Sequence, residues 1–313
     1  MTRAILRRLL RSVATLLLSS LVVFGALFVA PGSPVAFLSG GRPLPPAQIA
    51  QLEAEYHLNR PFLDAYWHWL RQVLDGNLGT SIVFHTSVSG LIGARAGTTI
   101  FLVVYAGLLT VVIGTMLGVI AGVRGGRTDA VITAVTTTGL ATPSFVVAIV
   151  LIALFAVGTG WFPVFGQGSG FLDRLWHLTL PAISLAIGGV AYLAQTTRAA
   201  VRREMRAEHT ETARSRGLGR IAVIRRHVLR NSMIPIATVS GLTVAGLVAG
   251  VAVVETAFGI QGIGSYLIQA TTQKDFPVVQ AICLILVTVF VVTNAVVDSI
   301  CYLVDPRLRM GSP

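Results

Sequence analysis

Long uncharged apolar runs alternate with short arginine-rich segments along this 313-residue chain. A hydrocarbon core of about 30 Å is crossed by about 20 mostly apolar residues in a helix, whose backbone satisfies its own hydrogen bonds. Six segments meet that condition, roughly 12–30, 98–122, 131–157, 178–197, 234–254 and 278–303. The third lies in the charge-free run between Asp129 and Asp173. Pro163 and the glycines Gly158, Gly160, Gly166, Gly168 and Gly170 break the second half of that run, which reads as an extramembrane turn. Continuous apolar runs, rather than short alternating ones, exclude a β-barrel. The pattern predicts an all-α integral membrane protein of six transmembrane helices.

Arg3, Arg7, Arg8 and Arg11 precede the first apolar segment, as in a secretory signal. The segment is too long for one, and no small-x-small cleavage site ends it before Pro31. It is expected to remain as a helix with its N-terminus in the cytoplasm. Short cytoplasmic loops hold the excess of Lys and Arg. With the N-terminus inside, eighteen of the 24 bases fall on the inner side, and six spans return the C-terminus there.

Composition sharpens this picture. Apolar residues make up 54% of the chain, charged ones 12%, and mean hydropathy is +0.76, values foreign to a soluble enzyme. The net charge of +11 is explained by topology and calls for no nucleic acid. Lys274 is the only lysine and follows Gln273, so the chain holds no Walker A loop. No Gly-x-Ser-x-Gly elbow occurs, and the glycine pairs lack dinucleotide spacing. The six histidines show no metal-ligand spacing. Cys283 and Cys301 fall on one predicted helix about 27 Å apart at a rise of about 1.5 Å per residue, too far to pair. No catalytic residue, cofactor or metal is expected.

The chain divides into 1–97, a transmembrane helix with a structured external loop, and 98–313, a core of five spans. In the loop, Pro45-Pro46 opens a helical pattern through Ile49, Leu52 and Tyr56, and Pro61 opens another through Phe62, Tyr66, Trp69 and Val73. Tyr66, Trp67 and Trp69 suit either an interfacial anchor or contact with an external partner.

The inner loop 198–231 is long, charged and patterned. Glu204, Glu208 and Glu211 precede Arg214 and Arg216, so a helix over roughly 205–216 carries acids early and bases late, matching its dipole. Gly217 stands where a left-handed cap belongs. A second helical stretch, Ile221 to Leu229, leads through Asn231 and Pro235 into the fifth span. Such a helix-Gly-helix element offers a soluble partner a rigid knob.

Here the chain resembles the membrane permeases of ATP-binding-cassette importers, in the dipeptide, oligopeptide and nickel branch. Thr212-Ala213-Arg214-Ser215-Arg216-Gly217 and His227-Val228-Leu229-Arg230-Asn231 are similar to that branch's cytoplasmic signature, which Glu211 introduces. The resemblance extends to Pro31-Gly32-Ser33-Pro34, Gly76-Asn77-Leu78-Gly79-Thr80-Ser81, Glu255-Thr256-Ala257-Phe258, Asp275-Phe276-Pro277-Val278-Val279-Gln280 and Asp305-Pro306-Arg307. In two places, Ser33 and Asn77, the branch's aspartate is replaced.

The resemblance implies the type I importer permease fold in a bacterial cell membrane. It also implies a homologous second permease, two ATPase subunits that bind ATP and Mg, and an extracytoplasmic solute-binding protein. ATPase coupling would fall to Glu208, Glu211, Thr212, Ala213, Arg214, Ser215, Arg216, Gly217, His227, Leu229, Arg230 and Asn231. Peptides are the expected cargo, with nickel chelates and glutathione as alternatives.

Glu255, Asn294 and Asp298 are polar residues at membrane depth or its edge, suited to interhelical hydrogen bonds or to a pathway. Gly107, Gly114, Gly118 and Gly122 share one face of the second span and predict close helix packing. A stand-alone secondary transporter or channel remains an alternative reading; it calls for intramembrane acids for ion coupling and for inverted repeats, neither of which is convincing in this chain. A membrane enzyme would need a titratable constellation within the spans, and none is found.

Overall fold

With no water to satisfy it, backbone in apolar runs closes hydrogen bonds on itself. The computed structural model, which describes residues 2–29, 45–49 and 61–304, is accordingly helical over most of that length. The 31–34 motif, the pattern beyond Ile49 and the 305–307 motif lie outside the described residues. Two compact units form, Met1–Thr99 with Gln261–Val291, and Ile100–Ile260 with Val292–Pro313.

In the first unit, α1 (Thr2–Val29) meets α2 (Phe62–Leu74). Pro61 sets the start of α2, and residues 46–49 are helical. Helix α3 (Val88–Arg124) begins in this unit, and α10 (Ile263–Thr272) and most of α11 (Phe276–Val304) complete it. Val88, Ile92, Tyr266, Val278 and Ile282 form its buried core. Thr99 Oγ1 accepts the Ile263 N–H at 2.8 Å.

Two sequence motifs meet in this unit. The buried Asp275 carboxylate accepts the Ser81 hydroxyl and the Ile82 N–H, the latter at 3.2 Å. Asn77 Oδ1 accepts the Gly79 N–H at 3.0 Å, closing a turn that asks only for a side-chain carbonyl oxygen. Asparagine therefore fills the branch's aspartate position without its charge.

The second unit holds the rest of α3, then α4 (Gly126–Ala141), α5 (Ser144–Leu151, continuing as a π-helical stretch Ile152–Gly158) and α6 (Gly170–Met205). Next come α7 (Glu208–Ser215), α8 (Arg220–Val223, with a π-helical turn Ile224–Leu229) and α9 (Arg230–Ala257). Leu102, Leu178, Leu185, Val251, Val254 and Phe258 are among its buried core. The glycine face of α3 lies against α6. A Cβ at Gly118 would stand 2.5 Å from the Ala194 carbonyl oxygen, and one at Gly122 2.7 Å from Val201. Gly107 faces Val244 of α9.

Among the described residues four helices, Val88–Arg124, Gly170–Met205, Arg220–Ala257 and Phe276–Val297, are long and apolar enough to cross a membrane. The predicted span 12–30 coincides with α1, whose apolar part among the described residues is the shorter Leu10–Ala26.

The predicted third span, 131–157, is corrected: it is two helices, Gly126–Ala141 and Ser144–Gly158, bent by 105°. Pro143 causes the bend. It disfavours the helical conformation at the preceding residue, and Thr142 is extended with ψ 121°. The helix expected over 205–216 also starts later, at Glu208, because extended Ala207 separates it from α6. The stretch expected over Ile221 to Leu229 does not stop before the next span, since helix runs unbroken from Arg220 to Ala257.

Candidate coupling site

Helix α7 alternates charge and hydroxyl along its sequence, so it has little to bury. Only Thr210 and Ala213, three residues apart on one face, are buried. Ala213 joins Val201, Val223 and Val228 in a small apolar cluster flanked by Val119, Val123, Met205 and Leu229. This cluster seats α7 on the ends of α3 and α6 and on the helical stretch that leads into α9.

Polar bonds fix the seat at both ends. Thr210 Oγ1 donates to the Glu204 carbonyl at 2.8 Å. His209 Nε2 stands 3.3 Å from the Glu204 carboxylate and 3.0 Å from the Asn231 side-chain nitrogen. At the C-terminus Gly217 has φ +80°, and a Cβ there would meet nothing within 4 Å. The Gly217 N–H donates to Arg214 O at 2.9 Å and the Leu218 N–H to Ala213 O at 3.3 Å. Together they form a Schellman cap, which needs the left-handed residue that Gly217 supplies.

The outward face then carries Glu208, Glu211, Thr212, Arg214, Ser215 and Arg216, all exposed. Among the described residues Glu208, Glu211 and Arg216 make no ion pair, so their charges are open to a partner. Thr212 Oγ1 and Ser215 Oγ donate back to the helix, at 2.9 Å to Glu208 O and 3.0 Å to Thr212 O. His227, Leu229 and Arg230 lie apart from that face, lining an open basic recess with Arg225 and Arg226. The signature residues thus divide into an exposed knob, a buried seat and a basic flank.

One cluster in this region was not singled out by sequence pattern. Asp129, in the first turn of α4, accepts two hydrogen bonds from the Arg198 guanidinium, from Nε and from Nη2 at 2.8 Å. It also accepts one from Arg202 Nη2 at 2.7 Å. The available signals were a lone acid between Arg127 and the third apolar run, and two arginines four apart on one helix face.

The polar residues offered for a pathway divide as well. Glu255 is fully buried and so faces no open space. Asn294 is half-buried on α11, and the Asp298 side chain lies outside the described residues. An open cavity of about 460 Å³ lies instead among Ser144, Gly188, Tyr192, Leu242, Thr243 and Gly246, close to the midpoints of α6 and α9. A Cβ at Gly188 or Gly246 would meet nothing within 4 Å, so neither glycine is demanded by helix packing.

In the first unit, Tyr66 and Trp69 turn toward α1. Their ring centroids lie 5.7 and 5.3 Å from that of Phe24, and Tyr66 Oη is 2.8 Å from Ser20 Oγ. Trp67 points the other way, 49% exposed, with Arg71 above its ring.

Residues 114–310 match the family described as the binding-protein-dependent transport system inner membrane component, and residues 1–102 match the N-terminal part of such membrane components. The chain is 34% identical to a probable peptide ABC transporter permease protein, y4tP, of Sinorhizobium fredii, covering 97% of this chain and 98% of the relative. It is 32% identical to the oligopeptide transport system permease protein OppB of Salmonella typhimurium, over 99% and 100% of the two chains. Identity is also 32% with the glutathione transport system permease protein GsiC of Pectobacterium atrosepticum, over 97% and 98%.

Among solved structures, the inward-facing MetNI methionine ABC transporter superposes with a TM-score of 0.57 at 18% identity, covering 69% of this chain and 96% of that one. That likeness establishes the type I importer permease fold. The chain therefore belongs to the inner membrane components of binding-protein-dependent transport systems, the non-catalytic permease subunits of ATP-binding-cassette importers, which are multi-pass proteins of the bacterial inner membrane.

Proposed function

We propose that this chain is one of two homologous permeases lining a path for short peptides, with α7 as the knob on which one of two cytoplasmic ATPases docks. Six spans with both termini inside complete the arrangement, and a solute-binding protein delivers cargo from outside. The observation that carries the reading is α7 itself. A helix with unpaired charges outward, a buried two-residue foot and a glycine cap is poorly suited to stabilising its own subunit and well suited to a partner's groove. Its foot rests against α3, α6 and the stretch leading into α9, so closure of the ATPases would be felt by three membrane helices at once. That biases the bundle between inward-open and outward-open states.

Peptide cargo follows from the names of the relatives. Glutathione, itself a tripeptide, belongs to the same chemical class. The mid-helix cavity suits that class, being lined by glycines, hydroxyls and apolar groups with no charged side chain. It accepts peptides of varied side chains without selecting among their charges.

Gly217→Val and Glu211→Lys test the knob. The first forces a β-branched residue into the left-handed region at a cost of about 1–2 kcal/mol, and the second reverses a charge on the exposed face. Both should leave membrane abundance near normal while ATPase copurification and uptake fall. Normal uptake in an intact complex would remove the residue concerned from the coupling role.

A further inference from the structure

Helices α4 and α6 lie antiparallel along their length. Gly139 faces Ile187 and Ala191, Thr137 Oγ1 accepts a hydrogen bond from Gln195 Nε2 at 3.3 Å, and Asp129 holds Arg198 and Arg202. The first two contacts are made by neutral groups, and packed helices can shear past one another in small steps. The third is directional. A bidentate guanidinium-carboxylate pair fixes both distance and angle, and a second guanidinium on the next turn doubles the constraint. The Asp129 side chain is 12% exposed, whereas Arg198 and Arg202 are 27% and 34% exposed.

The position of this clamp gives it consequence. Arg198 and Arg202 occupy the last turns of α6, whose final residues hold α7 through Glu204 and Met205. Asp129 follows the paired glycines Gly125 and Gly126, both at positive φ, which form the joint between α3 and α4. At its other end α4 stops at the Thr142–Pro143 elbow, and the next residue, Ser144, lines the mid-helix cavity.

We propose that Asp129 is a positioning residue that sets the register of α4 on α6, so that a displacement received at α7 reaches the elbow and Ser144. This rests on the reading of α7 as the ATPase-docking knob. Without the clamp, α6 would move under load while α4 slipped along its neutral contacts. ATP would then be hydrolysed with less cargo moved.

The test uses the assembled importer in proteoliposomes with its solute-binding protein, peptide cargo, and both native cysteines replaced. Asp129→Asn should copurify with the ATPases as the parent does and retain ATP hydrolysis, while peptide transported per ATP falls at least about fivefold, the lower range of allosteric couplings. Asp129→Glu, which keeps the charge, should recover most of the loss.

The paired substitution Asp129→Cys with Arg198→Cys should be poorly coupled when reduced, and coupled again once a short bifunctional thiol reagent bridges the two helices. That comparison is made within one preparation and stands if Asp129→Asn fails to assemble. An unchanged ratio of cargo to ATP in Asp129→Asn overturns the proposal, as does a reduced paired variant that bridging leaves uncoupled. If ATPase docking is lost in Gly217→Val but the ratio is unchanged in Asp129→Asn, the knob survives and the clamp fails. The converse result removes the knob.

Discussion

Alanine at two glycines of the same helix should change stability in opposite directions. Gly97 and Gly118 both lie in α3, and on propensity alone each replacement by alanine favours helix by about 1 kcal/mol. A Cβ at Gly97 meets nothing within 4 Å, so the substitution should keep that gain. At Gly118 the same carbon would sit 2.5 Å from the Ala194 carbonyl oxygen and 2.5 Å from Thr197 Cβ. Ordinary contact is about 3.5 Å, so α6 would have to retreat by about 1 Å, and overpacking of this kind costs about 1–3 kcal/mol. The net expectation is a loss of about 0–2 kcal/mol at Gly118 against a gain at Gly97.

Gly114, where the nearest atoms stand at 3.0 and 3.1 Å, should fall between them. Thermal unfolding of the purified chain in detergent, followed by tryptophan fluorescence, would rank the three. Gly118→Ala as stable as Gly97→Ala would refute the claim that α3 and α6 meet through their backbones.

Asp275→Ala should lower stability by about 1–3 kcal/mol, since it strands a buried hydroxyl and an N–H, and Asp275→Asn should cost less; an unshifted melting temperature in the alanine variant would count against the Ser81 contact. Trp69→Ala should destabilise by about 0.5–1.5 kcal/mol or more through the lost aromatic contact with Phe24. Trp67→Ala should leave the melting temperature unchanged and weaken binding of the solute-binding protein, as measured by surface plasmon resonance on nanodisc-held importer. Equal melting curves for the two tryptophan variants would oppose this division. A cysteine at the exposed Gln72, with native cysteines replaced, should react with a membrane-impermeant thiol reagent in intact cells; labelling only after lysis would invert the topology.

Local signals are legible in the sequence, and pairings between distant residues are not. Charge-free runs located the long helices because the bilayer imposes its thickness on sequence. Gly217 announced the end of α7 because a left-handed cap is a one-residue requirement. The elbow at Thr142–Pro143 was hidden by hydropathy, which averages a single proline into an apolar window. Asp129 finds its partners 69 and 73 residues away, a distance at which periodicity carries no information. Tyr66, Trp67 and Trp69 stand as one cluster in the sequence. Helix geometry turns Tyr66 and Trp69 toward Phe24 and Trp67 away from it.

The meeting of Ser81 with Asp275 has a consequence for biosynthesis. The two residues are 194 apart in sequence, and the unit they help close is built from the beginning of the chain and the late segment Gln261–Val291. At about 5–20 residues per second a ribosome needs roughly 10–40 s to pass from one to the other. During that interval α2 and the start of α3 are already made while Val278 and Ile282, against which the start of α3 packs, do not yet exist. The second unit, nearly continuous in sequence, has most of its helices in hand before then. The nascent permease thus has most of its coupling end made before the unit formed by its two distant segments can close, which makes the first 99 residues the part most in need of protection by the insertion machinery.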